Sequence, residues 1–235
     1  MSAPIAPRDR LIVGLDVASV EEAQAIVETL GEAVTFYKIG FEFAVAGGLV
    51  FAERLVGSGK KVFVDLKLHD IGQTVEKATR QIARIGASLM TVHAYPQTMR
   101  AAAAGRGDHE LQVLAVTVLT SWDAGDVKAA GFTDTPEELV ARRVAHAREA
   151  GVDGVICAPT DLATVRAIAP RPFLAVTPGV RPAGAALGDQ KRVATPAEAI
   201  RAGADRLVVS RPVLAAPDPR AAAEAIVQEI ATAGP

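Results

Sequence analysis

The sequence predicts an α/β protein built as a single (β/α)8 TIM barrel. Three observations carry this. Eight short, β-branched apolar runs alternate with longer helical patterns along the whole chain. The runs are apolar on both faces, as parallel strands covered by helices must be. The length of 235 residues, half of them hydrophobic, suits one such barrel and its core.

The strand candidates are Leu11–Asp16, Thr35–Ile39, Lys61–Leu66, Ser88–His93, Gln112–Val118, Gly154–Cys157, Phe173–Thr177 and Arg206–Ser210. Between them, Ser19-Val20-Glu21-Glu22, Thr135-Pro136-Glu137-Glu138 and Thr195-Pro196-Ala197-Glu198 read as capping boxes. Gly31, Gly151 and Gly203 supply helix stops. After Asp70, the residues Ile71, Val75, Ala78, Ile82 and Ile85 recur at helical spacing and predict one stripe packed on the barrel. A doubly wound open sheet is the competing arrangement. It would use fewer strands and place a Gly-rich turn after the first, where this chain has Asp16-Val17. No composition break divides the chain. Residues 1–235 therefore read as one domain, with residues 1–9 as a flexible N-terminal segment.

The formal net charge is -2 and no basic block appears. Neither nucleic acid nor an anionic membrane is expected as a partner. The one cysteine, Cys157, excludes an internal disulfide and fits a reducing compartment. In Val155-Ile156-Cys157-Ala158 it reads as buried apolar filler. The segment Met1 to Arg10 lacks the apolar core of a signal peptide, and no apolar run approaches the ~18 residues of a membrane span. A cytoplasmic protein is the expectation.

Two connections are long: Trp122 to Thr133, and Pro178 to Ala194. Loops of that length in a barrel are usually functional. The second carries Arg181, Gln190, Lys191 and Arg192 among Gly and Ala residues, which predicts an anion-binding lid.

Barrel active sites lie at the carboxyl ends of the strands. Those ends collect the polar residues: Asp16, Lys38, Asp65 with Lys67, His93, Thr117 with Thr120, Thr177, and Ser210-Arg211. On a regular strand Asp65 and Lys67 share a face with Phe63, while Val64 and Leu66 point the other way. Asp70 follows as the next helix begins. Two carboxylates about 4 Å apart repel by roughly 4 kcal/mol at an effective dielectric near 20, and interleaved lysines offset that. A Lys–Asp–Lys–Asp array built from Lys38, Asp65, Lys67 and Asp70 would hold a protonated lysine ready for a reaction that develops negative charge on carbon. A structural ion-pair network is the bland alternative. Arg211, with Arg181 and Gln190 on the adjoining loop, suggests a substrate phosphate near strands seven and eight. The histidines form no metal signature: His69 has opposite strand parity to Lys67, and His93 reads as a structural hydrogen-bonding residue.

Asp65-Leu66-Lys67-Leu68-His69-Asp70-Ile71 closely resembles the signature of the orotidine 5′-phosphate decarboxylase family. The likeness runs through Gly14-Leu15-Asp16, Tyr37-Lys38-Ile39-Gly40, Thr91-Val92-His93-Ala94, Thr117-Val118-Leu119-Thr120-Ser121, Thr177-Pro178-Gly179-Val180-Arg181, Gly188-Asp189-Gln190-Lys191-Arg192 and Ser210-Arg211-Pro212. The resemblance implies decarboxylation of orotidine 5′-monophosphate to uridine 5′-monophosphate with no cofactor and no metal. It implies Lys67 as the acid that protonates pyrimidine C6, with Asp65 beside the departing carboxylate. It implies that Lys38 and Asp16 hold ribose hydroxyls, that Thr120 positions the base, and that Gln190 bridges base and phosphate. Arg181, Arg211 and the Ser210 backbone would bind phosphate. Asp70, Ile71 and Thr74 would reach a neighbouring subunit's site, implying a homodimer. Two departures stand out: Gly72-Gln73 replaces the Pro-Asn often found there, and Ser210 replaces a usual glycine. A magnesium-dependent sugar-phosphate decarboxylase or aldolase of the same barrel superfamily is the alternative enzyme. A catalytically silent nucleotide-binding barrel is the alternative of another class.

Overall fold

Side chains on a β-strand alternate between two faces, and here both faces are apolar. That alternation divides the hydrophobic residues into two cores. Ile12, Phe36, Phe63, Leu89, Leu114, Ile156, Val176 and Val208 fill the inside of a barrel. Leu11, Val13, Tyr37, Val62, Val64, Met90 and Val113 face outward, where they pack beneath the helices. The computed structural model describes residues 5–182 and 193–234.

Eight parallel strands close the barrel in chain order: β1 (Leu11–Leu15), β2 (Phe36–Ile39), β3 (Lys61–Leu68), β4 (Leu89–His93), β5 (Gln112–Val116), β6 (Gly154–Ile156), β7 (Leu174–Thr177) and β8 (Arg206–Val209). Pairing of Ile12 with Val208 joins the last strand to the first. Closure removes both sheet edges and excludes the open-sheet arrangement. All eight predicted strands are present, most of them a residue or two shorter at one end.

The cap chemistry is largely as read. Thr135 and Thr195 form reciprocal capping boxes with Glu138 and Glu198. Ser19 accepts from the Glu22 amide, but the Glu22 carboxylate reaches the Ala18 amide, so this third box is only half made. Gly31, Gly151 and Gly203 all take positive φ after helix ends.

Three elements differ from expectation. Residues 7–10 form a short helix (Pro7–Arg10). Asp9 in it pairs with Lys61 at 2.7 Å and accepts from Thr35 at 3.0 Å, so this part of the expected flexible segment is anchored. The predicted helical stripe shifts as well. In the helix Gly72–Ile85 the buried residues are Val75, Thr79, Ile82 and Ala83, while Ile71 precedes the helix and is 74% exposed. The connection after β5 carries its own helix, Ala124–Ala129, held by a capping box between Asp123 and Asp126.

The departure that matters most for the site is in β3. Phe63 and Val64 lie opposite Leu89 and Met90, yet Leu68 lies opposite Val92. Four steps along β3 match two along β4, so the strand bulges between them. Lys67 sits in the bulge with φ of 47°. A left-handed backbone at a non-glycine residue costs about 1–3 kcal/mol, and such strain persists where neighbours enforce it.

Candidate active site

The carboxyl ends of β1, β2 and β3 bring four charged side chains into a line. Lys38 Nζ lies 3.0 Å from Asp16 Oδ1 and 3.9 Å from Asp65 Oδ2. Lys67 Nζ lies 2.9 Å from Asp65 Oδ1. The signs alternate Asp16–Lys38–Asp65–Lys67, so each lysine neighbours a carboxylate and the two carboxylates are separated by an ammonium. The inner members are well shielded: the side chains of Lys38 and Asp65 are 11% and 13% exposed. Such groups are held by mutual pairing, because each alone would be costly to desolvate. Burial tends to raise the Asp16 pKa. The Lys38 charge and its hydrogen bond, with the Lys67 charge, outweigh it and hold the carboxyl below its ordinary value.

Asp70 is not part of this line within its own chain; the fourth charge is Asp16, beside Lys38 at the end of the line away from Lys67. Asp70 is exposed, and its carboxylate accepts from the adjacent Ile71 amide at 2.6 Å. Ile71 and Thr74 are exposed beside it. A cleft of about 410 Å³ joins Asp70 and Thr74 to the Lys67 end of the array, running from Lys67 and His93 past His69, with Phe41 on its wall.

The other predicted residues lie around the same rim. Thr120 occupies the turn after β5, partly buried. Arg181 follows β7 and is buried; its amide donates to the Ala194 carbonyl and Nη1 to the Val180 carbonyl. Ser210 and Arg211 follow β8, with Arg211 exposed at the start of the helix Arg211–Leu214. Ser210 has φ of −124°, outside the left-handed region, so the backbone there does not demand the usual glycine. Gln190, Lys191 and Arg192 lie outside the described residues.

Two features escaped the sequence reading. The first is Thr91, wholly buried on β4. Its hydroxyl donates to Asp65 Oδ1 at 2.8 Å and accepts from the Lys67 amide at 2.9 Å. A polar residue at the centre of the apolar run Leu89-Met90-Thr91-Val92 was the available signal. The second is an aromatic group on the rim. His69 stacks on Tyr95, with ring centroids 4.4 Å apart, and its Nδ1 is 3.0 Å from Thr98 Oγ1. Arg143 lies over the rings of Tyr95 and Phe132 and donates to the Thr117 carbonyl. Contrary to expectation, His93 packs edge-on to His69 instead of making a structural hydrogen bond among the described residues. Burial, aided by the charges of His69, Arg143 and Lys67, pushes its imidazole below its ordinary pKa, against the opposing pull of Asp65. Among the described residues, no group of three His, Cys, Asp or Glu is placed to hold a metal ion.

A line of alternating charges with a shielded centre can hold an ammonium fixed beside a reacting atom, where it stabilises developing negative charge and donates a proton. The fold and this site define an enzyme class: a (β/α)8 barrel with its polar groups gathered at the carboxyl ends of the strands. Within that class, the chain belongs to the Orotidine 5′-phosphate decarboxylase / HUMPS family, whose profile matches residues 9–226. It is similar to the Orotidine 5′-phosphate decarboxylase of Methylobacterium sp. (strain 4-46), at 59% identity across 99% of this chain and 100% of that one. The Bradyrhizobium sp. (strain ORS 278) protein of the same name is 57% identical across 99% and 96% of the two chains. Among solved structures, Orotidine 5′-phosphate decarboxylase from Lactobacillus acidophilus matches with a TM-score of 0.83 at 34% identity, over 94% of this chain and 98% of that one.

Proposed function

We propose that this protein decarboxylates orotidine 5′-monophosphate to uridine 5′-monophosphate, the last step of de novo UMP synthesis, with Lys67 as the proton donor. Membership of the family and near-complete alignment with relatives of that name support the activity. The observation that carries the mechanism is the Lys67 ammonium held 2.9 Å from Asp65 at the barrel mouth. Substrate enters with its C6 carboxylate toward Asp65. The bond from C6 to the carboxylate breaks, carbon dioxide leaves, and the electron pair stays on C6. Lys67 stabilises that charge and transfers its proton to C6, then recovers a proton from solvent. Interaction that grows with the charge on C6 favours the transition state over the ground state, which is what accelerates the step.

In this reading Lys38 and Asp16 hold ribose hydroxyls while completing the array. Thr120 positions the base, and Gln190 bridges base and phosphate. Arg181 and Arg211, after neighbouring strands, bind phosphate with the Ser210 backbone. Arg suits that task because its planar fork matches phosphate oxygens. The enzyme works as a homodimer in the cytoplasm, and Asp70, Ile71 and Thr74 complete the partner's site. An Ile side chain 74% exposed beside a surface carboxylate supports such an interface.

The test is the fall in absorbance of orotidine 5′-monophosphate after exhaustive dialysis against chelator. Full turnover is expected. Loss of most activity that magnesium restores would move the assignment to the sugar-phosphate branch, and no turnover under any condition would refute it.

A further inference from the structure

We propose that Thr91 is a positioning residue for the proton donor: one hydroxyl holds the Asp65 carboxylate and the Lys67 backbone together and so aims the Lys67 ammonium. The proposal rests on the decarboxylase reading for its kinetic consequence, but its geometry stands alone.

A threonine hydroxyl has one donor hydrogen and two lone pairs. Thr91 uses both functions, giving its hydrogen to Asp65 Oδ1 and accepting the Lys67 N–H. The same Asp65 oxygen contacts Lys67 Nζ. The Lys67 ammonium is therefore tied to this carboxylate directly and the Lys67 backbone through one hydroxyl, in a closed loop of contacts. The bulge explains why the tie is needed. Where β3 slips relative to β4, the Lys67 amide needs another acceptor, and a buried amide without one is strongly disfavoured. Thr91 supplies it from the facing strand. The positive φ of Lys67 is thereby held in place. Without the tie, the backbone could relax toward ordinary extended geometry and turn the side chain away from its place beside Asp65. Branching at Cβ adds stiffness, since it restricts χ1 and keeps the hydroxyl pointed at both partners.

Two variants test this. Thr91→Val keeps shape and branching but removes the hydroxyl, whereas Thr91→Ser keeps the hydroxyl. Thr91→Val should lower kcat for orotidine 5′-monophosphate about 10- to 100-fold, as expected for a lost hydrogen bond to a charged group, with KM changed little. Thr91→Ser should retain kcat within about threefold. Independently of activity, hydrogen exchange at the Lys67 amide should quicken at least about tenfold in Thr91→Val and stay near wild type in Thr91→Ser. If the valine protein does not fold, Thr91→Cys, a poor donor and acceptor, takes its place in both measurements. Unchanged kcat, or a loss seen equally in KM, would overturn the proposal; so would an unchanged Lys67 exchange rate. A wild-type protein without turnover would refute the decarboxylase reading alone, leaving the exchange measurement to decide the role of Thr91.

Discussion

Gly40→Ala offers a test of how closely the charged line is set. Gly40 follows β2 with φ of −93°, which alanine accepts without strain. A Cβ there would lie 2.9 Å from Lys38 Nζ and 3.3 Å from Asp16 Oδ1. Ordinary contact requires ~3.5 Å, so the ammonium must retreat by roughly half an ångström. Lys38 Nζ is the free end of a flexible side chain, so the fold should absorb this at below about 1 kcal/mol, a melting shift within ~2–4 °C for a chain of this size. The array cannot absorb it as easily, because Lys38 sits 3.0 Å from Asp16 and 3.9 Å from Asp65. A 1 Å misplacement in an active site costs ~10²-fold, so half of that should cost about tenfold in kcat/KM. Thermal unfolding and the absorbance assay measure the two quantities on the same preparation. Gly57→Ala is the control, since its Cβ would meet nothing within 4 Å. In a Lys38→Met background, Gly40→Ala should have little further effect on whatever rate remains. Wild-type kcat/KM in Gly40→Ala, or an equal loss with Lys38 absent, would refute the claim that glycine is there to leave room for the ammonium.

Lys67→Ala should abolish measurable decarboxylation while circular dichroism stays native, because in the proposed mechanism it removes both the proton donor and the transition-state charge; the cost should exceed the ~10²–10⁴ of general-acid loss alone. Mixing Lys67→Ala with Asp70→Ala subunits should restore activity, since one site of the mixed dimer escapes both changes; no recovery despite verified subunit exchange would place Asp70 in its own chain's chemistry. His93 should make stability pH-dependent. Its folded pKa is depressed, so the unfolded chain binds the extra proton first, and stability is full above the unfolded value near 6.5 and falls through the window down to the folded value. Melting temperatures from pH 7 to 5 should fall more in wild type than in His93→Asn, and parallel curves would show that His93 titrates as it does unfolded.

Much of the fold was legible because its signals are local. Capping residues act within one turn, so Thr135 and Thr195 announced helix starts that the structure makes. Apolar runs of strand length marked all eight strands, and the polar residues at their carboxyl ends marked the site. Periodicity failed where a neighbour overruled it. Ile71 fits the helical stripe by spacing yet stands before the helix, exposed, while Thr79 lies in the buried face although it is polar. Asp16 joins the charges from the end of β1, two places from β3 in the barrel, a meeting that spacing along the chain does not show.

The sequence by itself determined the strand count, several helix starts and the identities of Lys38, Asp65 and Lys67, because side-chain period and cap chemistry depend on residues close in the chain. Tertiary structure alone decided how those charges meet. Regular alternation put Asp65 and Lys67 on one face, but their contact is made through a bulge and a left-handed Lys67. That backbone is held by a hydroxyl on Thr91, 24 residues further along. Strand register is set by the pairing of two strands, and neither carries it alone.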